Sequence, residues 1–185
     1  MLNGNLKSGD AEHDQKIANS GIIENSVKLV AAARALDIPI FWIRVERRAD
    51  RKDFYISVTD HLVAADGVLP SPTVKGSHRS KNIDELPVHD GDHEIIKPRF
   101  DPFIGTDMDI RLKALGIDTI LLGGYSTNFG VESCARTARD MNFNVVVLSD
   151  CTYNVDEEAH NFTLQRIMPF FSRVMPSDQA LALID

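Results

Sequence analysis

The sequence is short of basic side chains, cysteines and long apolar runs, and each shortage closes off a class of protein. Lys and Arg number 20 against 27 Asp and Glu, a formal net charge of −7. So acidic a chain is a poor general binder of nucleic acid or of an anionic membrane. Two cysteines, Cys134 and Cys151, cannot build a disulfide framework. No stretch reaches the ~18 apolar residues that a membrane span requires. The polar start, MLNGNLKSGDAEHDQ, has no apolar core behind basic residues, so no standard secretory signal is read. The expectation is a cytoplasmic protein without membrane or nucleic-acid partners.

What is present reads as a globular α/β protein. Hydrophobic residues at 43% and charged residues at 25% argue against disorder. A length of 185 residues predicts one domain over 1–185, at roughly 150 residues per domain. Ile22, Ile23, Val27, Val30 and Leu36 recur at helical spacing, with Asn19 or Ser20 as N-cap and Pro39 beyond the end. The β-branched and aromatic run IPIFWIRV, Ile38–Val45, follows as a buried strand would. Further strands are expected at Glu94–Lys97, Thr119–Gly123, Asn144–Leu148 and Ser172–Met175. Helices are expected at Asp107–Leu115, Val131–Met141, Glu157–Met168 and from Ser177 onward. Five strands alternating with helices predict a doubly wound α/β fold, a three-layer, Rossmann-like parallel sheet. Between Val45 and Glu94 a long excursion, with one helix expected around Ser57–Ala65, is of the length typical of lids and binding elements.

In an open α/β sheet ligands bind beyond the carboxyl ends of the strands. Three segments fall there: KPRFDPF after Ile96, GGYSTNFGVESCARTA after Leu122, and SDCT after Leu148. Lys97 can pair with an anionic substrate or stabilise developing negative charge; a solvated lysine at a strand end is the alternative. The Gly-rich turn can point backbone N–H groups and a helix N-terminus at an anion, or be a plain connector. Arg44, Arg47, Arg48, Arg51 and Lys52 could receive a carboxylate or form a solvated basic loop. His89 and His93, in VHDGDHE, are read as turn residues and not as metal ligands.

Together these segments resemble the isochorismatase-like hydrolases, also called cysteine hydrolases, from about Ile22 to the end. The family pattern G-x-x-T-N-x-C-V-E-x-T-A-R-x-A is met by GYSTNFGVESCARTA at Gly124–Ala138. Its K-x-R-x-x-x-F motif is met by Lys97, Arg99 and Phe103, and LSDCT fits its segment around Asp150. The resemblance implies strand order 3-2-1-4-5-6 and a site built from an Asp, a Lys and a Cys. It places Lys97 at the lysine position and Tyr125–Ser126 at a non-proline cis peptide, with Thr127 and Asn128 completing the turn. Tyr125, Ser126, Thr127, Asn128, Arg99, Phe103 and Arg44 are the expected substrate-binding residues, with Lys97 and Gly130 the catalytic positions.

Two departures from the family pattern matter. Gly130 stands where the nucleophilic cysteine would be, so thiolate attack on an amide has no nucleophile there. Cys134, one helical turn on, is expected to be a packed core residue. Glycine is also what the true isochorismatases of the family have. Their enol-ether hydrolysis needs an acid and a lysine to hold the anion, but no nucleophilic side chain. The second departure is at the start, where the family has a strand of LLVID type carrying the catalytic Asp and this sequence does not show one. That strand is central in the implied order, so Ile40–Val45 and Thr119–Gly123 should face a gap, with an upstream start, another segment or a rearranged fold as the ways to fill it. Asp10 and Asp14 are the nearest substitutes, read as residues of a solvated loop. The expected activity is hydrolysis of a small anionic metabolite, foremost the enol ether of isochorismate, with no cofactor and no metal. A non-catalytic member that binds a ligand, a partner or an assembly is the alternative. A homo-oligomer is expected, with Phe170, Phe171, Leu181 and Leu183 as exposed apolar positions.

Overall fold

A computed structural model describes residues 1–50, 52–53 and 73–184 of the chain. The helix expected around Ser57–Ala65 lies outside the described residues. Helices α1 (Asn3–Leu6), α2 (Ala11–Asn19) and α3 (Ile22–Ala35) precede strand β1 (Phe41–Arg44). There follow β2 (His93–Ile96), α4 (Met108–Ala114), β3 (Thr119–Tyr125) and α5 (Glu132–Asp140). Strand β4 (Asn144–Tyr153), α6 (Glu157–Phe162), β5 (Arg173–Met175) and α7 (Ser177–Leu181) complete the order.

The five expected strands are present, and side-chain alternation explains why they are buried on both faces. Along β4, Val145 and Val147 join the core with Met108 and Leu112 of α4 and Cys134, Ala135 and Ala138 of α5. Val146 and Leu148 turn to the opposite face, beside Leu29 of α3 and Ala180 of α7. Period-two side chains on a doubly covered sheet give the three layers expected from the sequence. Strand β4 runs on through Tyr153, past the expected end at Leu148, because its second half pairs Thr152 and Tyr153 with Gly124 and Tyr125 of β3. Gly123 lies at the register shift between those pairings, where a Cβ would stand 2.9 Å from the Cys151 carbonyl oxygen. Only glycine allows that approach.

The N-terminal stretch, expected as a solvated loop, is helical. Asp10 caps α2 by accepting the His13 N–H at 2.8 Å, and Asp14 accepts those of Ser8 at 2.8 Å and Gly9 at 3.1 Å. Only Ile17 of α2 is buried, so the helix lacks the apolar stripe that would reveal it in sequence. The cap of α3 is Gly21, one residue beyond the expected positions, although Ser20 Oγ still accepts the Ile22 N–H at 3.3 Å.

The sheet is divided. Strands β1 and β2 pair in parallel, β3, β4 and β5 form a second parallel ladder, and no described ladder joins β1 to β3. The spatial order is β2, β1, a gap, β3, β4, β5, which is the implied order with its first strand left out. Among the described residues, the gap expected from the sequence stands between β1 and β3.

Candidate functional site

The strand ends converge on one pocket. Lys97 follows β2, and a π-helical turn over Thr127–Val131 leads from β3 into α5. Lys97 Nζ lies 2.8 Å from where a Cβ on Gly130 would stand, so the carboxyl ends of β2 and β3 are on the same side of the sheet. The Lys97 ammonium also donates to the Phe100 carbonyl. Burial pulls its pKa below the ordinary lysine value, partly offset by Cys134 and Asp101 nearby. A desolvated ammonium of this kind interacts strongly with an anion, because little water competes for it.

Around it the cavity, about 1050 Å³, runs from this end into the gap between β1 and β3. Tyr125, Ser126, Phe129 and Gly130 line it with Lys97, as do Phe100 and Asn154. The Tyr125–Ser126 peptide is cis, at the position the family resemblance implied. Asn154 Nδ2 donates to Ser126 Oγ at 2.7 Å and to Asn128 Oδ1, tying the turn to the end of β4. Thr127 is fully buried and shares a 2.7 Å hydrogen bond with His160 Nδ1, so it fastens the turn to α6. The rings of Phe100 and Phe129 stack at 5.5 Å, half-exposed at the mouth.

Other expected site residues do different work. Thr127 and Asn128 brace the turn from outside the cavity lining. Arg99 is exposed and donates to the Pro98 carbonyl at 2.9 Å, and Phe103 packs in the core against Phe143. Arg44 is held by Glu94 at 3.0 Å and Glu46 at 3.3 Å, so its charge is already compensated. Arg48 pairs with Asp50 at 2.6 Å, and Arg47 is buried where its backbone bridges to the segment around Val74. His93 belongs to β2, and its ring stacks on Phe41 at 4.4 Å. Asp150 accepts the Ser177 N–H at 2.8 Å and its hydroxyl at 2.7 Å, clamping the start of α7. Asp10 and Asp14 lie outside the pocket. Among the described residues, no Asp, Glu or His lines it.

Sequence reasoning passed over Phe100, Phe129 and Asn154. The first two stand inside the matched motifs at positions the patterns leave open, and Asn154 lies three residues beyond Cys151. Cys134 is buried among the core residues of α5, as expected. Burial first, then the Asp101 charge, push its thiol up to about 12, which leaves essentially no thiolate at neutral pH.

A doubly covered parallel sheet with a buried lysine and a strand-to-helix turn lining one pocket at its carboxyl edge defines an α/β protein of doubly wound type. The isochorismatase domain model matches residues 2–179, and the chain belongs to the isochorismatase family of hydrolases. An uncharacterized isochorismatase family protein of Escherichia coli O157:H7, YecD, is 37% identical over 161 residues, covering 86% of this chain and 81% of that protein. The ureidoacrylate amidohydrolase RutB of Methylobacterium radiotolerans is 30% identical over 83% of this chain and 63% of its own length. An isochorismatase family protein of Burkholderia thailandensis superposes with a TM-score of 0.76 at 32% identity, covering 87% of this chain and 81% of that one.

Proposed function

We propose that the chain hydrolyses the enol ether of a small anionic metabolite, with isochorismate as the reference substrate. The observation that carries this reading is the Lys97–Gly130 contact: the space a nucleophilic side chain would occupy is held by an ammonium. RutB is named for an amide substrate, but thiolate chemistry here lacks a thiol at position 130, and the Cys134 thiol is buried and protonated. Enol-ether cleavage needs no protein nucleophile. A proton adds to the terminal methylene carbon, water attacks the resulting oxocarbenium carbon, and the hemiketal collapses to pyruvate and the dihydroxy-cyclohexadiene carboxylate. In this reading Lys97 holds the substrate carboxylate, and the Tyr125–Gly130 turn offers its donors beside it. The Phe100–Phe129 pair provides a flat apolar face for the unsaturated ring.

The absence of an acidic lining among the described residues favours a second reading, a family member that binds the anion without turning it over. Pyruvate release from isochorismate, followed with a coupled lactate dehydrogenase, separates the two. Release that disappears in Lys97→Ala supports the hydrolase. Binding of isochorismate by calorimetry without pyruvate release supports the binding protein. Cleavage of ureidoacrylate that is lost in Cys134→Ala would overturn both.

A further inference from the structure

The turn that brings Tyr125, Ser126 and Gly130 to Lys97 is held from behind at two points. Asn154, just past β4, grips it through Ser126 and Asn128. Helix α6 grips it through Thr127, whose hydroxyl, fully buried, meets His160 Nδ1 at 2.7 Å. That hydroxyl has no other partner among the described residues, which fixes the direction of the bond. The Thr127 O–H donates, Nδ1 accepts, and the imidazole proton sits on Nε2. The reverse arrangement would leave a buried hydroxyl proton without an acceptor, which is costly. Protonation of His160 imposes that reverse arrangement, because an imidazolium Nδ1 can only donate.

The surroundings of the ring keep it neutral. Burial, the larger effect, holds His160 below the ordinary histidine pKa of 6.5, against the charge of Glu157 on the same helix, which favours the proton. Asp156 is taken up by the Ala159 N–H at 2.9 Å, and Glu158 is exposed. Tyr153 of β4 stands ring to ring with His160 at 6.3 Å. Glu132, which heads α5, is occupied by Arg136 at 2.9 Å and by the Thr163 hydroxyl at 3.4 Å, and Arg166, beyond α6, is exposed. The π-helical turn itself, TNFGV, carries no ionisable side chain.

We propose that neutral His160 is a positioning residue for this pocket: through the Thr127 hydroxyl it holds the Tyr125–Gly130 turn in place against Lys97, and protonation of the ring releases the turn. On the hydrolase reading, on which this rests, the reaction depends on a residue outside the pocket lining. Lys97 still holds the substrate carboxylate when the turn shifts, so the loss falls on kcat more than on KM.

The test pairs kinetics on isochorismate with NMR of the full chain. In the wild type, kcat should fall on an acid limb below pH 6.5, and the ring nitrogens of His160 and the amides of Thr127, Asn128 and Gly130 should titrate with that same midpoint. His160→Ala should lower kcat by about 10²-fold, as a small misplacement of the turn would, with a far smaller change in KM. His160→Asn, whose amide oxygen takes the place of Nδ1, should recover most of that rate and lose the acid limb. His160→Gln, whose amide lies nearer the place of Nε2, should not recover it, and this pair serves also if His160→Ala does not fold. Turn amides that ignore the His160 titration, an unchanged acid limb in His160→Asn, or equal rates for the Asn and Gln variants would each overturn the proposal. A wild type that releases no pyruvate would overturn the hydrolase reading alone, and the turn amides would then decide the role of His160 by themselves.

Discussion

The ammonium of Lys97 and the α-carbon of Gly130 are neighbours: a Cβ on Gly130 would stand 2.8 Å from Lys97 Nζ, so a side chain there has to displace the tip of the lysine. The lysine and the glycine are therefore one device, though 33 positions separate them. Gly130→Ala should push the ammonium out of place. Since a misplacement of about 1 Å can cost roughly 10²-fold in rate, kcat/KM on the enol ether should fall by about that factor. Steady-state kinetics check this, and an unchanged value would mean that Lys97 is not where the chemistry happens.

Lys97 should be a liability for stability. Its pKa is lowered chiefly by burial, so the folded state holds its proton less well than the unfolded chain does. The resulting penalty is present in full below the folded pKa and fades as pH rises toward 10.5, so stability from this group increases with pH. Lys97→Met should raise the Tm at pH 7 while abolishing anion binding, and the gain should shrink at pH 10 and above. Differential scanning calorimetry at the two pH values decides it.

Cys134 and Cys151 should be silent toward thiol reagents in the native protein. Both are buried, and burial is the first cause that raises their thiols, to about 12 and about 11. Ellman's reagent at pH 8 should label neither until denaturant is added. Cys134→Ala should cost about 1–2 kcal/mol of stability by leaving a small void, yet leave kcat/KM unchanged. Rapid native labelling, or loss of turnover in the variant, would revive a thiolate mechanism.

Asp92 gathers donors from three parts of the fold: Arg34 of α3 at 2.9 and 3.1 Å, the Trp42 indole at 2.7 Å and the His89 N–H at 2.9 Å. Burial raises its pKa, but these hydrogen bonds outweigh it and hold the carboxyl below the usual value. Its contribution should therefore be present above about pH 4 and lost as pH falls through the lowered folded value. Asp92→Ala should destabilise the protein by about 3 kcal/mol, because it strands a guanidinium and an indole N–H. Urea unfolding followed by Trp42 emission measures it.

The strands were legible because their apolar runs are short, β-branched and punctuated, and all five stand within a few residues of where the sequence puts them. Helix α2 was not, since Ile17 is its one buried residue and a cap at Asp10 is a weak cue in a polar stretch. In the site, Lys97, Tyr125, Ser126 and Gly130 meet as the matched motifs suggested. Arg99, Phe103 and Arg44 do not line the pocket, because such a motif also includes residues that only pack or pair. Phe103 fills the core, and Arg44 is balanced by Glu46 and Glu94. The pairing of Phe100 with Phe129 depends on two loops meeting in space, which no local pattern encodes.

The divided sheet also bears on how the molecule comes apart. A continuous ladder transmits unfolding from strand to strand, whereas among the described residues no ladder joins the β1–β2 pair to β3–β4–β5, and Phe41 and Ile43 rest on the core that holds Ile120 and Leu122. The two four-residue strands of the smaller ladder can then open while the larger one stays closed. Global stability and the integrity of the lysine's own strand are thus separate quantities, and conditions that leave the protein folded by bulk criteria can already have loosened the support of Lys97.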